Sequence, residues 1–114
     1  MNTEQQLYEK YQPLGIVSGE ELVLPTQYAK QLVDSCEESN LAIIGIDGFT
    51  ILNGTIRPEL GVIADFSSVQ EGHWSKYRQR CNRAARRFLS NFHHRENLSF
   101  SFTMLNREEW KQAV

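Results

Sequence analysis

Five polar residues in the middle of this sequence have the chemical types from which a catalytic site could be built. A hydroxyl nucleophile paired with a base and an orienting acid is the usual set for acyl transfer, and Asp65, Ser67, Ser68, Glu71 and His73 contain all three types. The stretch has no GxSxG motif, however, and a Ser/Glu cluster ahead of a helix is also what helix capping requires. We therefore expect no catalytic residue and no enzyme.

The sequence gives equally little indication of a metal or cofactor site. The histidines are His73 and the adjacent pair His93 and His94, and neighbouring residues on a helix point about 100° apart, which makes a shared metal ion difficult. Cys36 and Cys81 have no CxxC or zinc spacing, and both are expected to be reduced core residues. We predict no metal, no cofactor and no small-molecule substrate.

The charges are divided unevenly along the chain. Residues 1–75 contain eleven acidic and three basic residues, whereas residues 76–114 contain three acidic and nine basic ones. A charged partner could bind an acidic or a basic face, or the two halves could neutralise each other in the fold. Both interpretations stay open at this stage.

The basic segment 76–87 supports one alternative function, a nucleic-acid-binding module. Its Lys and Arg side chains could contact phosphates while Trp74 and Tyr77 stack on bases. These two aromatic residues fall on the same helical stripe as Cys81 and Phe88, which predicts that they fill the core instead. The pI near 5.9 also disfavours nucleic-acid binding.

Nothing in the sequence predicts a membrane protein. The longest apolar run, residues 41–46, is far shorter than the about 20 residues needed to cross a bilayer. Residues 1–12 lack the apolar segment of a secretory signal, so we expect a cytoplasmic protein.

Helical periodicity predicts two short helices and one long helix. The first begins at the capping sequence from Thr3 and ends before Pro13, and the second runs from Pro25 or Thr26 to Asn40. The long helix follows Trp74 and has one broad apolar face as far as Phe92. A last turn is expected after Asn106.

Strand signals lie between these helices and near the C-terminus. Residues 41–52 and 55–57 flank Asn53-Gly54, a strong hairpin signal, and Pro58 is expected to interrupt pairing before a third strand over residues 60–66. Gly45 and Gly48 indicate a bulge or a close backbone approach beside Asp47. Residues 97–104 alternate apolar and polar, which predicts a half-exposed strand whose edge could pair with a partner's strand.

These elements predict an α+β fold in one domain, residues 1–114. The sheet should be mainly antiparallel with about four strands, and the helices should pack on one side of it.

Three sequence segments also resemble a known family. They are residues 42–49 with the Asn53-Gly54 turn and Ile56-Arg57-Pro58, residues 63–67, and residues 74–89 with Cys81-Asn82-Arg83-Ala84-Ala85. Together they are similar to the immunity proteins of bacterial contact-dependent growth inhibition and other polymorphic toxin systems. The resemblance covers roughly residues 41–89 and not the first 40 residues.

The resemblance implies a non-catalytic antitoxin that binds a cognate toxin C-terminal domain in the bacterial cytoplasm, with a nuclease as the expected toxin. An acidic surface could occupy the basic substrate cleft of a nuclease and speed association with it. Inhibition could plug the active site directly or act from an exosite. The candidate toxin-binding residues are acidic: Glu37, Glu38, Asp47, Glu59, Asp65 and Glu71.

Overall fold

A computed structural model describes residues 3–92 and 95–113 of the chain. This part contains four α-helices and one five-stranded antiparallel sheet, which confirms the α+β class and adds one strand to the expected four. The sheet order is β1-β2-β5-β3-β4. The helices are α1 (Thr3–Tyr11), α2 (Thr26–Glu38), α3 (Trp74–Ser90) and α4 (Arg107–Ala113), and the strands are β1 (Ile16–Ser18), β2 (Glu21–Pro25), β3 (Ala42–Leu52), β4 (Thr55–Asp65) and β5 (Leu98–Leu105).

Two strands that the sequence does not predict form a short hairpin after α1, while two predicted strands merge into β4. Residues 16–25, for which the sequence predicts no element, pair as β1 and β2 across a turn in which Gly19 has a φ of +63°. The three residues of β1 are too few to show an alternating pattern, so periodicity could not reveal them. β2 joins the main sheet through Leu24, which lies opposite Phe100 of β5.

The β3–β4 hairpin turns at Asn53 and Gly54, as predicted. Both residues have positive φ, +52° and +78°, which is the conformation for which Asn-Gly is favoured. Pairing is interrupted directly after Pro58, which itself lies opposite Phe49, and resumes at Ile63, but β4 continues through the interruption as one strand. Since β4 is an edge strand, it can accommodate a residue without an N–H. The expected three-stranded meander is therefore a two-stranded hairpin.

The predicted irregularity beside Asp47 is confirmed. Asp47 lies opposite Ile63 and Phe49 lies opposite Pro58, so the residues between Pro58 and Ile63 bulge out of register. Gly48 faces this bulge, and a Cβ there would lie 2.5 Å from the Cγ1 of Val62. Only a residue without a side chain fits this contact.

β5 occupies the centre of the sheet rather than a half-exposed position. It pairs with β2 on one side and with β3 on the other. Its alternation is as predicted, with Phe100 fully buried in the core, but Ser99 and Ser101 on the other face are each only 5% exposed. Around Phe100 both edges of β5 are occupied, by Leu24 of β2 and Gly48 of β3, so the expectation that a partner's strand could pair there is wrong.

The helices cover one face of the sheet. α2 and α3 contribute Leu32, Val33, Cys36, Ala85 and Leu89 to the main core, as their periodicity predicts. A second cluster holds Trp74, Tyr77 and Cys81 at one end of the sheet, where Trp110 of α4 packs beside them. Both cysteines are buried and free, as expected.

Candidate functional site

The face of the sheet opposite α2 and α3 forms the candidate site. Strand register places eleven residues of β3, β4 and β5 on it, and none of them belongs to either hydrophobic cluster. We call this surface the open face. Its residues are Gly45, Asp47, Phe49, Ile51, Ile56, Pro58, Ile63, Asp65, Ser99, Ser101 and Thr103.

Two of the predicted toxin-binding residues lie together on the open face. Asp47 of β3 is opposite Ile63 of β4, and Asp65 follows two residues along the same edge strand. Both carboxylates line one shallow concavity together with Ile63 and Thr103. The β3–β4 hairpin therefore brings together two acidic residues that are 18 positions apart in the sequence.

The surroundings of the two carboxylates differ. Asp65 is exposed and its Oδ1 accepts hydrogen bonds from the Ser67 backbone N–H at 2.8 Å and the Ser67 hydroxyl at 2.6 Å. These hydrogen bonds hold the pKa of Asp65 below its ordinary value, so it stays ionised in more acidic solution. Asp47 is half-buried and makes no ion pair or hydrogen bond with another side chain of the described residues.

Apolar side chains surround the two acids, and no basic residue of the described strands shares the face. Ile63 is 53% exposed, and Phe49 and Ile51 are half-buried. On β3, β4 and β5 the only charged residues placed on the open face are acidic, because Arg57 lies opposite Thr50 and points to the other side. The open face can therefore bind a surface that is partly apolar and positively charged.

Three of the other predicted contact residues already have partners within the chain. Glu37 accepts a hydrogen bond from Arg78 Nε at 3.0 Å, and Glu71 lies 3.3 Å from Arg80 Nη1. Glu59 accepts a hydrogen bond from the Thr50 hydroxyl at 2.6 Å. None of the three is among the residues that strand register places on the open face.

Glu38 is the exception among these more distant acids. It is the last residue of α2, is exposed, and has no ion pair or hydrogen bond within the described part of the chain. It lies outside the open face. Of the six predicted residues, the structure thus brings together Asp47 and Asp65.

The basic helix is partly neutralised by the acidic half of the chain. Arg78, Arg80 and Arg86 form ion pairs with Glu37, Glu71 and Asp34 respectively. Lys76, Arg83 and Arg87 are exposed and form no ion pair with the described residues.

The predicted core role of the two aromatic residues is confirmed. Trp74 and Tyr77 are 8% and 5% exposed, and Trp74 donates its indole N–H to Asn40 Oδ1 at 2.7 Å. Neither ring is available for base stacking.

The candidate catalytic set does not assemble in the described residues. Ser67 donates to Asp65 in a local turn, whereas the exposed His73 precedes α3 and forms no hydrogen bond with either residue. His93 and His94 lie outside the described residues. Within residues 3–92 and 95–113, no three His, Cys, Asp or Glu side chains are grouped closely enough to bind a metal ion, and no helix is long and apolar enough to span a bilayer.

One polar residue that the sequence does not single out holds the two layers together. Asn82 of α3 is 1% exposed, accepts a hydrogen bond from the Ile43 N–H at 2.9 Å and donates to the Leu41 carbonyl at 2.9 Å. Its amide also donates to Glu37 at 3.2 Å. The sequence signal that could have identified Asn82 is its position, four residues after Arg78 and three before Ala85, which places a polar side chain on the inward side of an amphipathic helix.

Comparison with known proteins identifies no family for this chain. No family model matches the sequence, and no curated protein matches it. The similarity of residues 41–89 to immunity proteins stays a prediction.

Proposed function

We propose that this chain is an immunity protein that binds and neutralises a cognate toxin domain in the bacterial cytoplasm, without catalysing a reaction. The open face is the proposed toxin-binding surface, with Asp47 and Asp65 as its charged contacts. One observation carries the proposal: the face of β3, β4 and β5 opposite α2 and α3 combines exposed and half-buried apolar side chains with two carboxylates, and no residue of these strands places a cation on it. Glu38 is a peripheral contact, while Glu37, Glu59 and Glu71 have partners within the fold.

Charge complementarity gives the proposal its mechanism. A toxin that cleaves nucleic acid needs a basic cleft, and a rigid acidic surface is attracted to such a cleft over a range of about a Debye length. The apolar neighbours of Asp47 and Asp65 then exclude water from the contact, which strengthens the charge pairs. Because β3 pairs on both sides, the surface is held in place before binding and loses little conformational freedom.

The test is expression of the toxin domain encoded beside this protein, with and without the protein, followed by growth measurement and co-purification. Rescue of growth with a stable complex is the expected result. Charge reversal by Asp47→Lys and Asp65→Lys should then slow association by about tenfold at low ionic strength and flatten its salt dependence. Glu9→Lys is the matched control, because it reverses an exposed acid of α1 outside the open face and should change the rate much less.

Two results would contradict this function. If the toxin domain is harmless, or is toxic but neither bound nor neutralised, the immunity proposal fails. If growth is rescued but the Asp47 and Asp65 variants associate at the unmodified rate, the immunity proposal survives and the open face is the wrong surface.

A nucleic-acid-binding module is the second candidate, and one observation favours it. Arg83 and Arg87 of α3 are free of ion pairs within the described residues and line a groove with Arg80. Such a module should retard RNA or DNA in a gel, with affinity that falls steeply with salt and is reduced in Arg83→Ala and Arg87→Ala. An immunity protein should show no such retardation.

A further inference from the structure

A cavity of about 160 Å³ lies on the helix side of the sheet, between α1, α2 and strands β2 and β5. Its apolar lining includes Leu7 and Leu32, which are buried, and Leu22, Phe102 and Met104, which are half-buried. An apolar cavity of about 150 Å³ is large enough to bind benzene. The size therefore suits one branched or aromatic side chain.

The mouth of the cavity is acidic. Glu4 of α1 and Glu20 and Glu21 of the β1–β2 hairpin line it and are exposed, and no Lys, Arg or His of the described residues lines it with them. Partial burial and the negative charge of Glu109 raise the pKa of Glu4, so an incoming cation would relieve an unfavourable charge.

We propose that this cavity is a docking site for a basic amphipathic segment of a partner protein. One apolar side chain of the segment enters the cavity, and flanking Lys or Arg side chains pair with Glu4, Glu20 and Glu21. The cavity has an apolar interior and an acidic mouth, and this order requires an apolar side chain inside and the cations outside. A small organic cation entering the cavity would place its charge against Leu7 and Leu32 rather than beside the carboxylates.

This site is separate from the proposed toxin-binding surface. Leu7 and Leu32 place the cavity among the helices, and neither Asp47 nor Asp65 lines it. Ser101 of β5 is the one described residue that belongs both to the cavity lining and to the open face. Binding at the cavity can therefore be tested without the toxin, and its failure would leave the immunity proposal unaffected.

The probe is a capped pentapeptide in which Trp is flanked by two Lys on each side. Its binding to the full chain is followed by nitrogen-edited NMR, which shows both the affinity and the location. We expect resonances of Leu7, Leu22, Phe102 and Met104 to shift in a saturable manner. A peptide with Ser in place of Trp, and one with Glu in place of Lys, should each bind at least about tenfold more weakly.

Variants of the protein complete the test. The triple variant Glu4→Gln, Glu20→Gln and Glu21→Gln should weaken binding of the Lys-Trp peptide by about tenfold, since each exposed charge pair contributes modestly. Glu38→Gln removes an acid elsewhere and should leave the affinity unchanged. Three results would each overturn the proposal: no saturable shift, equal binding of the Ser peptide, or shifts centred away from the cavity.

Discussion

Replacement of Asn82 by Ala is the most direct test of how α3 is fixed to the sheet. The Asn82 side chain is the hydrogen-bond partner of the Ile43 N–H and the Leu41 carbonyl, both at 2.9 Å and both buried. Asn82→Ala removes the hydrogen-bond partners of both backbone groups. The Ile43 and Leu41 backbone groups would then be desolvated without compensation.

The expected cost follows from those two groups. A buried donor or acceptor left without a partner costs about 1–3 kcal/mol, so Asn82→Ala should lower the free energy of unfolding by about 2–6 kcal/mol. A domain of this size is stable by only about 5–15 kcal/mol, and the variant should therefore unfold at much lower urea concentration. Gln79→Ala is the control on the exposed side of the same helix and should change stability by less than about 0.5 kcal/mol.

A second substitution at the same position separates hydrogen bonding from packing. Asn82→Asp keeps the acceptor for the Ile43 N–H but removes the donor to Leu41 and places a carboxylate beside Glu37. Its destabilisation should shrink as the pH falls and the new carboxyl becomes protonated, because the protonated group can donate. Urea unfolding monitored by tryptophan fluorescence measures both effects. A loss below about 1 kcal/mol for Asn82→Ala would refute the bridging role.

Three further predictions test other parts of the structure. Gly48→Ala should cost about 1–3 kcal/mol in urea unfolding because its Cβ meets the β4 bulge, whereas Gly61→Ala, with open space around it, should cost less than about 1 kcal/mol; equal losses would contradict the close contact. Burial raises the pKa of Cys36 from 9.0 to about 12, so between these pH values the Cys36 thiol ionises only in the unfolded chain. The free energy of unfolding should therefore fall by about 1.4 kcal/mol per pH unit up to pH 12. Cys36→Ala should abolish this pH-dependent loss. The lowered pKa of Asp65 contributes to the stability of the fold at pH values above the ordinary pKa of aspartate, and this contribution is lost as the pH falls through the folded-state pKa. Ser67→Ala should raise the pKa of Asp65 in an NMR titration, and an unchanged titration would contradict the role of the Ser67 hydrogen bonds.

Local signals in the sequence predicted most of the helical layer and one hairpin. The Asn53-Gly54 turn and the apolar stripe of α3 are each specified by residues close together in the chain. β1 could not be predicted, because its three residues gain order only by pairing with β2. The continuity of β4 through Pro58 depended on its position at the sheet edge, which is a property of the tertiary fold.

The candidate site was predictable as a set of residue types but not as a surface. Arginines of α3 form ion pairs with Glu37 and Glu71, whereas Asp47 and Asp65 lie on the opposite face of the sheet. Those ion pairs join segments more than 40 residues apart in one case, and no local pattern encodes them. Periodicity indicates which face of α3 carries Asn82, but its two backbone partners could not be predicted without knowing where β3 lies.

The central position of β5 also determines the order in which the fold can be completed. This strand, residues 98–105, is the last of the five along the chain and lies between β2 and β3. Until it is synthesised and docked, the β1–β2 hairpin and the β3–β4 hairpin have no hydrogen-bonded connection and each presents an unpaired edge. Cooperative folding during synthesis must therefore wait for the C-terminal segment, and the unfinished chain is exposed to aggregation through two strand edges at once.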